Sequence, residues 1–233
     1  FMKRLTGFTM SEVLITLGII GIVAAMMLPA VINRANHYIL KQQFKKVYNT
    51  YSNSLLKVYA ENGAVFDCYY TEDNAPDQYT HNSQCVEFTE SFLKTLNVIQ
   101  KCENNAYEKG CIPKYKGVDT IYKEQHGGQE IDTTGCSGFW ENNILNKNTA
   151  YVLSDGSIIV TYFNASYMHT KIFLVDINGH KKPNKWGHDL FVFLIKGNDK
   201  QVYLGYTNSK GGCSPVEDNG YTTQQMIEEI YKK

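Results

Sequence analysis

The chain has 233 residues, with 23 basic and 23 acidic side chains and a formal net charge of zero. Hydrophobic residues make up 43% and charged residues 20%, the balance of a globular chain, so wholesale disorder is excluded. With 5 prolines against 18 glycines a collagen-type repeat is excluded too, and the balanced charge removes the bulk electrostatic case for a nucleic-acid partner.

In chain order, Lys3 and Arg4 come first, and then Val13 to Ile32 form 20 residues without a charge. As a helix rising ~1.5 Å per residue, that stretch reaches roughly 30 Å, one bilayer core. The positive-inside rule then places residues 1–7 in the cytoplasm and the rest outside. All six cysteines follow the apolar run and so face the oxidising side, where an even number suits disulfides. Three plain readings compete: a cleaved secretory signal with Leu28-Pro29-Ala30 as its site, an ordinary one-span anchor, and a buried core helix. Glu12 argues against the first, and length argues against the third. None of them accounts for Glu12, a carboxylate at the edge of an apolar helix that calls for a partner or must snorkel to the interface.

Lys3-Arg4-Leu5-Thr6-Gly7-Phe8-Thr9-Met10-Ser11-Glu12-Val13-Leu14-Ile15 resembles the prepilin leader and processing signal of type IV pilins and type II secretion pseudopilins. The motif covers the first part of the chain only, and Met10 and Ser11 replace the aliphatic residues usual there. The resemblance implies cleavage between Gly7 and Phe8 by a membrane aspartyl prepilin peptidase, followed by N-methylation of Phe8. It implies that Glu12 matches the family's assembly glutamate, and that Gly21 and Pro29 match its helix-breaking glycine and proline. It implies self-association into a filament through the inner-membrane assembly machinery, with the lipid bilayer as the other partner and with no nucleic acid. Chemically, cleavage creates a cationic amine on Phe8. Glu12 of one subunit can neutralise that amine on its neighbour, offsetting the desolvation of both charges.

Beyond the span, Leu40, Phe44, Val47, Tyr51, Leu55 and Val58 recur at steps of three and four, a helical stripe. Asn62-Gly63 supplies a stop. Residues 8–61 therefore read as one long helix, loosened at Gly18 and Gly21 and kinked or locally opened at Pro29. Its second half carries Arg34, Lys41, Lys45, Lys46 and Lys57 against Glu61. Those cations read either as contacts to anionic headgroups or acidic neighbours, or as a solvated face. Residues 62–86 read as a polar loop pinned by Cys68 and Cys85. A second helix is expected over 87–101, then irregular structure over 102–148. A β-region follows: 151–153 and 158–160 around Asp155-Gly156, then 171–177, 190–195 and 201–206, an antiparallel meander of five strands. Thr222-x-x-Gln225 caps a final helix that reaches Tyr231.

The fold class is thus α+β, a long N-terminal helix packed on an antiparallel sheet, the architecture the resemblance also implies. The organisation reads as leader 1–7, membrane and assembly half-helix 8–32, amphipathic half-helix 33–61 and disulfide-containing head 62–233. The pairing Cys102–Cys111 closes a short loop and is expected first. Cys68–Cys85 and Cys136–Cys213 complete the set most simply. Zinc competes, but no Cys-x-x-Cys is present. Asp176, Asn178 and Asp189, with Gly179 and Asn184, gather oxygen ligands that calcium favours, as in the β-loops of the resembled pseudopilins. The same residues are ordinary turn formers, and that reading is preferred. His180 and His188 flank the loop without ligand spacing. No phosphate loop, His-Glu-x-x-His or Gly-x-Ser-x-Gly occurs, so no catalytic set and no cofactor are expected. The expectation is a structural subunit of a pilus or pseudopilus. The rival is an anchored extracytoplasmic binding domain that never polymerises.

Overall fold

A computed structural model describes residues 7, 9–62, 88–130, 134–161, 172–198, 201–206 and 213–232. The chain divides into two compact units, Phe1–Ile39 and Leu40–Lys233.

The first unit is helical. Helix α1 spans Met10–Asn62 and includes Pro29. It begins at Thr9, whose hydroxyl accepts the Glu12 N–H at 3.3 Å while the Glu12 carboxylate accepts the Thr9 N–H at 2.8 Å. This reciprocal pair is a capping box, and it starts the helix two residues later than the stripe and span alone imply. Gly21 and Pro29 both lie inside this continuous helix. Proline removes one N–H donor, and the bonds of the turns on either side hold the helix across that gap.

The second unit is a six-stranded antiparallel sheet in sequence order, β1 Val98–Cys102, β2 Ala150–Leu153, β3 Ile158–Thr161, β4 Ile172–Asp176, β5 Leu190–Asn198 and β6 Gln201–Gly205. The meander is therefore one strand wider than the sequence implies. The extra strand comes from the segment expected as helix 87–101. Among the described residues helix α2 takes in 88–95 and stops there, and the chain then extends to pair Gln100 with Val152 and Cys102 with Ala150. Val98 and Ile99 are β-branched and fit a pleat, and ladder pairing with β2 outweighs the helical spacing of Ile99.

One face of the sheet receives the Leu40–Val58 stripe of α1. Phe44, Tyr51 and Leu55 are wholly buried there, with Phe92 of α2 and Phe173, Phe191 and Phe193 of the sheet. Phe44 meets Phe191 edge to face at 4.7 Å between ring centroids, a geometry that adds to simple area burial. The opposite face is covered by the stretch expected to be irregular. It holds α3 Val118–Gln125, a 3-10 turn Thr134–Phe139 and α4 Glu141–Asn146. Ile121, Phe139 and Ile144 pack there with Ile158, Val160, Leu174 and Trp186. Two covered faces explain why strands such as Ile158-Ile159-Val160 are apolar at successive positions rather than alternating.

Two disulfides tie this second layer. Cys102–Cys111 and Cys136–Cys213 are both formed, as expected. The proposed Cys68–Cys85 pair, and the loop that carries it, lie outside the described residues. Helix α5, Thr223–Tyr231, ends the chain on the predicted capping box of Thr222 and Gln225.

Candidate functional site

Three places carry the sequence-predicted functional residues. The first is the start of α1. Gly7 is exposed, and Phe8 lies outside the described residues. Every side chain from Thr9 to Ile39 is exposed. Leu14 is 67% accessible, Ile20 62% and Met26 75%, so these large apolar groups gain nothing from the protein itself. α1 is long and apolar enough to cross a membrane. A methyl group added at Gly18 or Gly21 would meet nothing within 4 Å beyond the adjoining residues and backbone of its own helix, so neither glycine is required by packing inside one copy. Glu12, the one charged residue of this stretch before Arg34, is held by Thr9, whose N–H and O–H both donate to Oε2 at 2.8 Å. Thr9 is the residue that the sequence reading passed over. Its signal was Thr9-x-x-Glu12, the same capping pattern used for α5.

The second place is the basic stripe of α1. Three of its five cations are paired within the protein: Lys41 with Glu229 of α5 at 2.6 Å, Lys46 with Asp155 at 3.5 Å and Lys57 with Glu61 at 3.7 Å. Contact with α5 and the β2–β3 turn explains Lys41 and Lys46 without a lipid or a second subunit. Asp155 also accepts the Ser157 hydroxyl at 2.7 Å, and Ser157 in turn meets the buried Tyr51 hydroxyl at 3.0 Å. That chain of polar contacts fixes the hairpin turn against α1. Gly156, at φ +90°, makes the turn itself possible.

The third place is the loop from Asp176 to Asp189. It joins β4 to β5 and contains a cis Lys182–Pro183 bond. Asp176 and Asp189 are both 0% exposed. Asp176 Oδ1 accepts the N–H groups of Asn178 at 3.0 Å and Gly179 at 2.7 Å, and its Oδ2 accepts the Tyr115 hydroxyl at 2.7 Å. Asp189 Oδ2 and Oδ1 accept the N–H groups of Asn184 and Lys185, each at 2.7 Å. Gly179 has φ +65°, and a Cβ there would collide with the Gly156 carbonyl oxygen, so the loop touches the hairpin turn at a point only glycine fits. Burial, then the nearby Asp189 charge, push the Asp176 carboxyl well above the usual carboxylate range. Burial pushes Asp189 up to about 6 against the pull of its N–H donors.

This arrangement suits the preferred turn reading of Asp176, Asn178 and Asp189 better than the calcium one. All four carboxylate oxygens already receive N–H or O–H donors, and among the described residues no group of three or more His, Cys, Asp or Glu converges as a metal site. Within this loop Asn178 Oδ1 is buried without a donor, and one oxygen is not a cage. The carboxylates act as staples that close two turns. His180 is exposed and His188 Nε2 meets the Asp218 carbonyl oxygen at 3.0 Å, so neither joins the carboxylates. Tyr115 and the Trp186 indole, which donates to the Lys116 carbonyl at 2.8 Å, complete the packing and had no local sequence signal.

The chain matches no family model, no curated protein and no solved structure.

Proposed function

We propose that the protein is a structural subunit of a type IV pilus or a type II secretion pseudopilus, made as a membrane-anchored precursor. On this reading it is cut between Gly7 and Phe8, methylated on Phe8 and polymerised through α1. Its role is architectural rather than catalytic. The observation that carries the reading is the exposed apolar surface of residues 13–32, directly preceded by Glu12 and the Gly7-Phe8 junction. A bilayer covers that surface in the precursor, and neighbouring copies of the same helix cover it in the filament. Glu12 then meets the new Phe8 amine of an adjacent subunit, and the pair sets axial register. Gly18 and Gly21, free of packing constraints inside one copy, leave room for a neighbouring helix to approach closely.

The capping box favours one second reading. Because Thr9 satisfies Glu12 on its own helix, a single-span anchor displaying a binding domain can also tolerate this carboxylate. Intact mass and N-terminal identification of protein from cells with active prepilin peptidase separate the two. The expected mature chain begins at N-methyl-Phe8, and Gly7→Leu leaves precursor in the membrane. Recovery of chains that all retain the leader refutes the pilin-type reading and leaves the anchor.

A further inference from the structure

The C-terminal segment is held in two different ways. Its first part is rooted. Cys213 is bonded to Cys136 of the second layer. The Glu217 N–H donates to the Trp186 carbonyl at 3.0 Å, the Trp186 N–H donates to Glu217 Oε1 at 3.0 Å, and the Tyr221 N–H donates to the Gly187 carbonyl at 2.7 Å. Backbone packs there without room for a side chain, since a Cβ at Gly187 would lie 2.9 Å from the Tyr221 carbonyl oxygen. Helix α5 then passes to the other face of the sheet, where Met226 is buried in the core that holds Phe44. Its hold is lighter. Ile227 and Ile230 are only partly buried, and Tyr231, 69% exposed, interacts with the Tyr48 hydroxyl of α1. Glu229 is a fork: Oε2 takes Lys41 of α1 at 2.6 Å and Oε1 takes Lys232 at 2.7 Å. Lys41 and Glu229 are 32% and 30% exposed, and ion pairs that water reaches hold weakly and are screened by salt.

We propose that α5 is a detachable strap: it swings out as a unit at Thr222 and lets go of α1 at Lys41, while its root and the sheet stay folded. Thr222 is the extended N-cap residue between the last backbone bond of the root and the first turn of α5. Opening there gives up one buried methionine, a few partly buried side chains and one shared carboxylate, whereas freeing the root breaks a covalent bond and several backbone bonds. Lightly held elements of this kind open locally at a free energy below that of global unfolding. α1 enters the core at this point, with Leu40 partly buried and Phe44 wholly buried. The open state bares Lys41 and the seat of Met226, so an anion that competes for Lys41, or salt alone, favours it. The strap does not depend on the pilin-type reading above.

The test is amide hydrogen exchange, read by mass spectrometry, on the full chain in detergent with its disulfides intact, at low and high sodium chloride. Wild type is compared with Glu229→Gln, Lys41→Met and the double variant. Residues 224–231 are expected to exchange several-fold faster than residues 214–221 and the strands. Glu229→Gln and Lys41→Met should each speed residues 224–231 several-fold further, and high salt should do the same to the wild type. The double variant should be no faster than Glu229→Gln, because both changes break one interaction. Lys41→Met is decisive, since it leaves the sequence of α5 and its internal Glu229–Lys232 pair untouched. Wild-type exchange of residues 224–231 in Lys41→Met shows that α5 does not hold α1 through this pair and overturns the proposal. A rise in residues 214–221 or in the strands equal to that in α5 also overturns it, because the variants then loosen the whole head. Equal exchange of residues 224–231 and the strands in the wild type at high salt means that no separate opening exists.

Discussion

Asp176 and Asp189 are buried carboxylates held by N–H and O–H donors, and each has its proton affinity raised, Asp189 to about 6, chiefly by burial. The sign of the consequence follows from linkage. A carboxyl whose folded value lies above its unfolded value of 3.8 binds its proton more tightly when folded, so stability is greatest below that unfolded value and falls as pH rises towards 6. Each such group contributes about 1.4 kcal/mol per pH unit across its window. Asp155 and Glu229 run the other way. Burial opposes the shift at Asp155, but its bonds to Ser157 and the nearby Lys46 outweigh it. Glu229 is drawn down to about 2 by Lys232 and then Lys41. Their contributions are lost only as pH falls below the ordinary carboxylate range. Urea midpoints of the detergent-solubilised chain should therefore rise when pH is lowered from 7 to 5, and Asp189→Asn should flatten that slope. Millimolar calcium should leave the midpoint at pH 7 unchanged. A calcium-dependent rise abolished by Asp189→Ala would restore the cation reading.

Elements whose signal is local were legible in the sequence, and those that depend on distant pairing were not. The stripe from Leu40 to Val58, the Asp155-Gly156 hairpin and the Thr222 capping box each announce themselves within a few residues, and each forms as read. Val98–Cys102 does not, because its strand state comes from β2, some fifty residues later, and helical spacing at Phe88, Phe92 and Leu96 masks it. The second layer was missed for the same reason. Val118, Ile121 and Ile144 are too few to show a period, and they find burial only against a sheet that is apolar on both faces. The cysteines were the exception, since a short separation made Cys102–Cys111 readable. The two described disulfides should differ in weight. Cys136–Cys213 closes a separation of 77 residues and Cys102–Cys111 one of 9. On the loop-entropy argument, removal costs roughly 4.5 kcal/mol for the long loop and roughly 2.5 kcal/mol for the short one. Paired Cys→Ser variants compared by urea unfolding give the order, and a larger loss from the short loop would contradict it.

At the scale of the whole molecule, one helix serves two units by a change in what surrounds it. Up to Ile39 its side chains are exposed, whereas Phe44, Val47, Tyr51, Leu55 and Val58 belong to the core under the sheet. The boundary falls where the sequence changes from apolar all round to a stripe of three-and-four spacing. The second half of α1 is therefore a structural element of the head, however the first half is used. This sets where the chain can be cut. A chain of residues 33–233 keeps the whole stripe, loses the exposed apolar run and should be soluble, with a cooperative urea transition. A chain of residues 62–233 keeps every strand but uncovers Phe173, Phe191 and Phe193 on one face. Removing one large buried side chain costs about 3–5 kcal/mol, and a whole domain is stable by only about 5–15 kcal/mol. Loss of five core residues at once exceeds that margin, so the shorter chain should aggregate or show no cooperative transition. Dispersed amide resonances and a sharp transition from residues 62–233 would mean that the head holds itself together without α1, and that the helix serves the membrane and the filament alone.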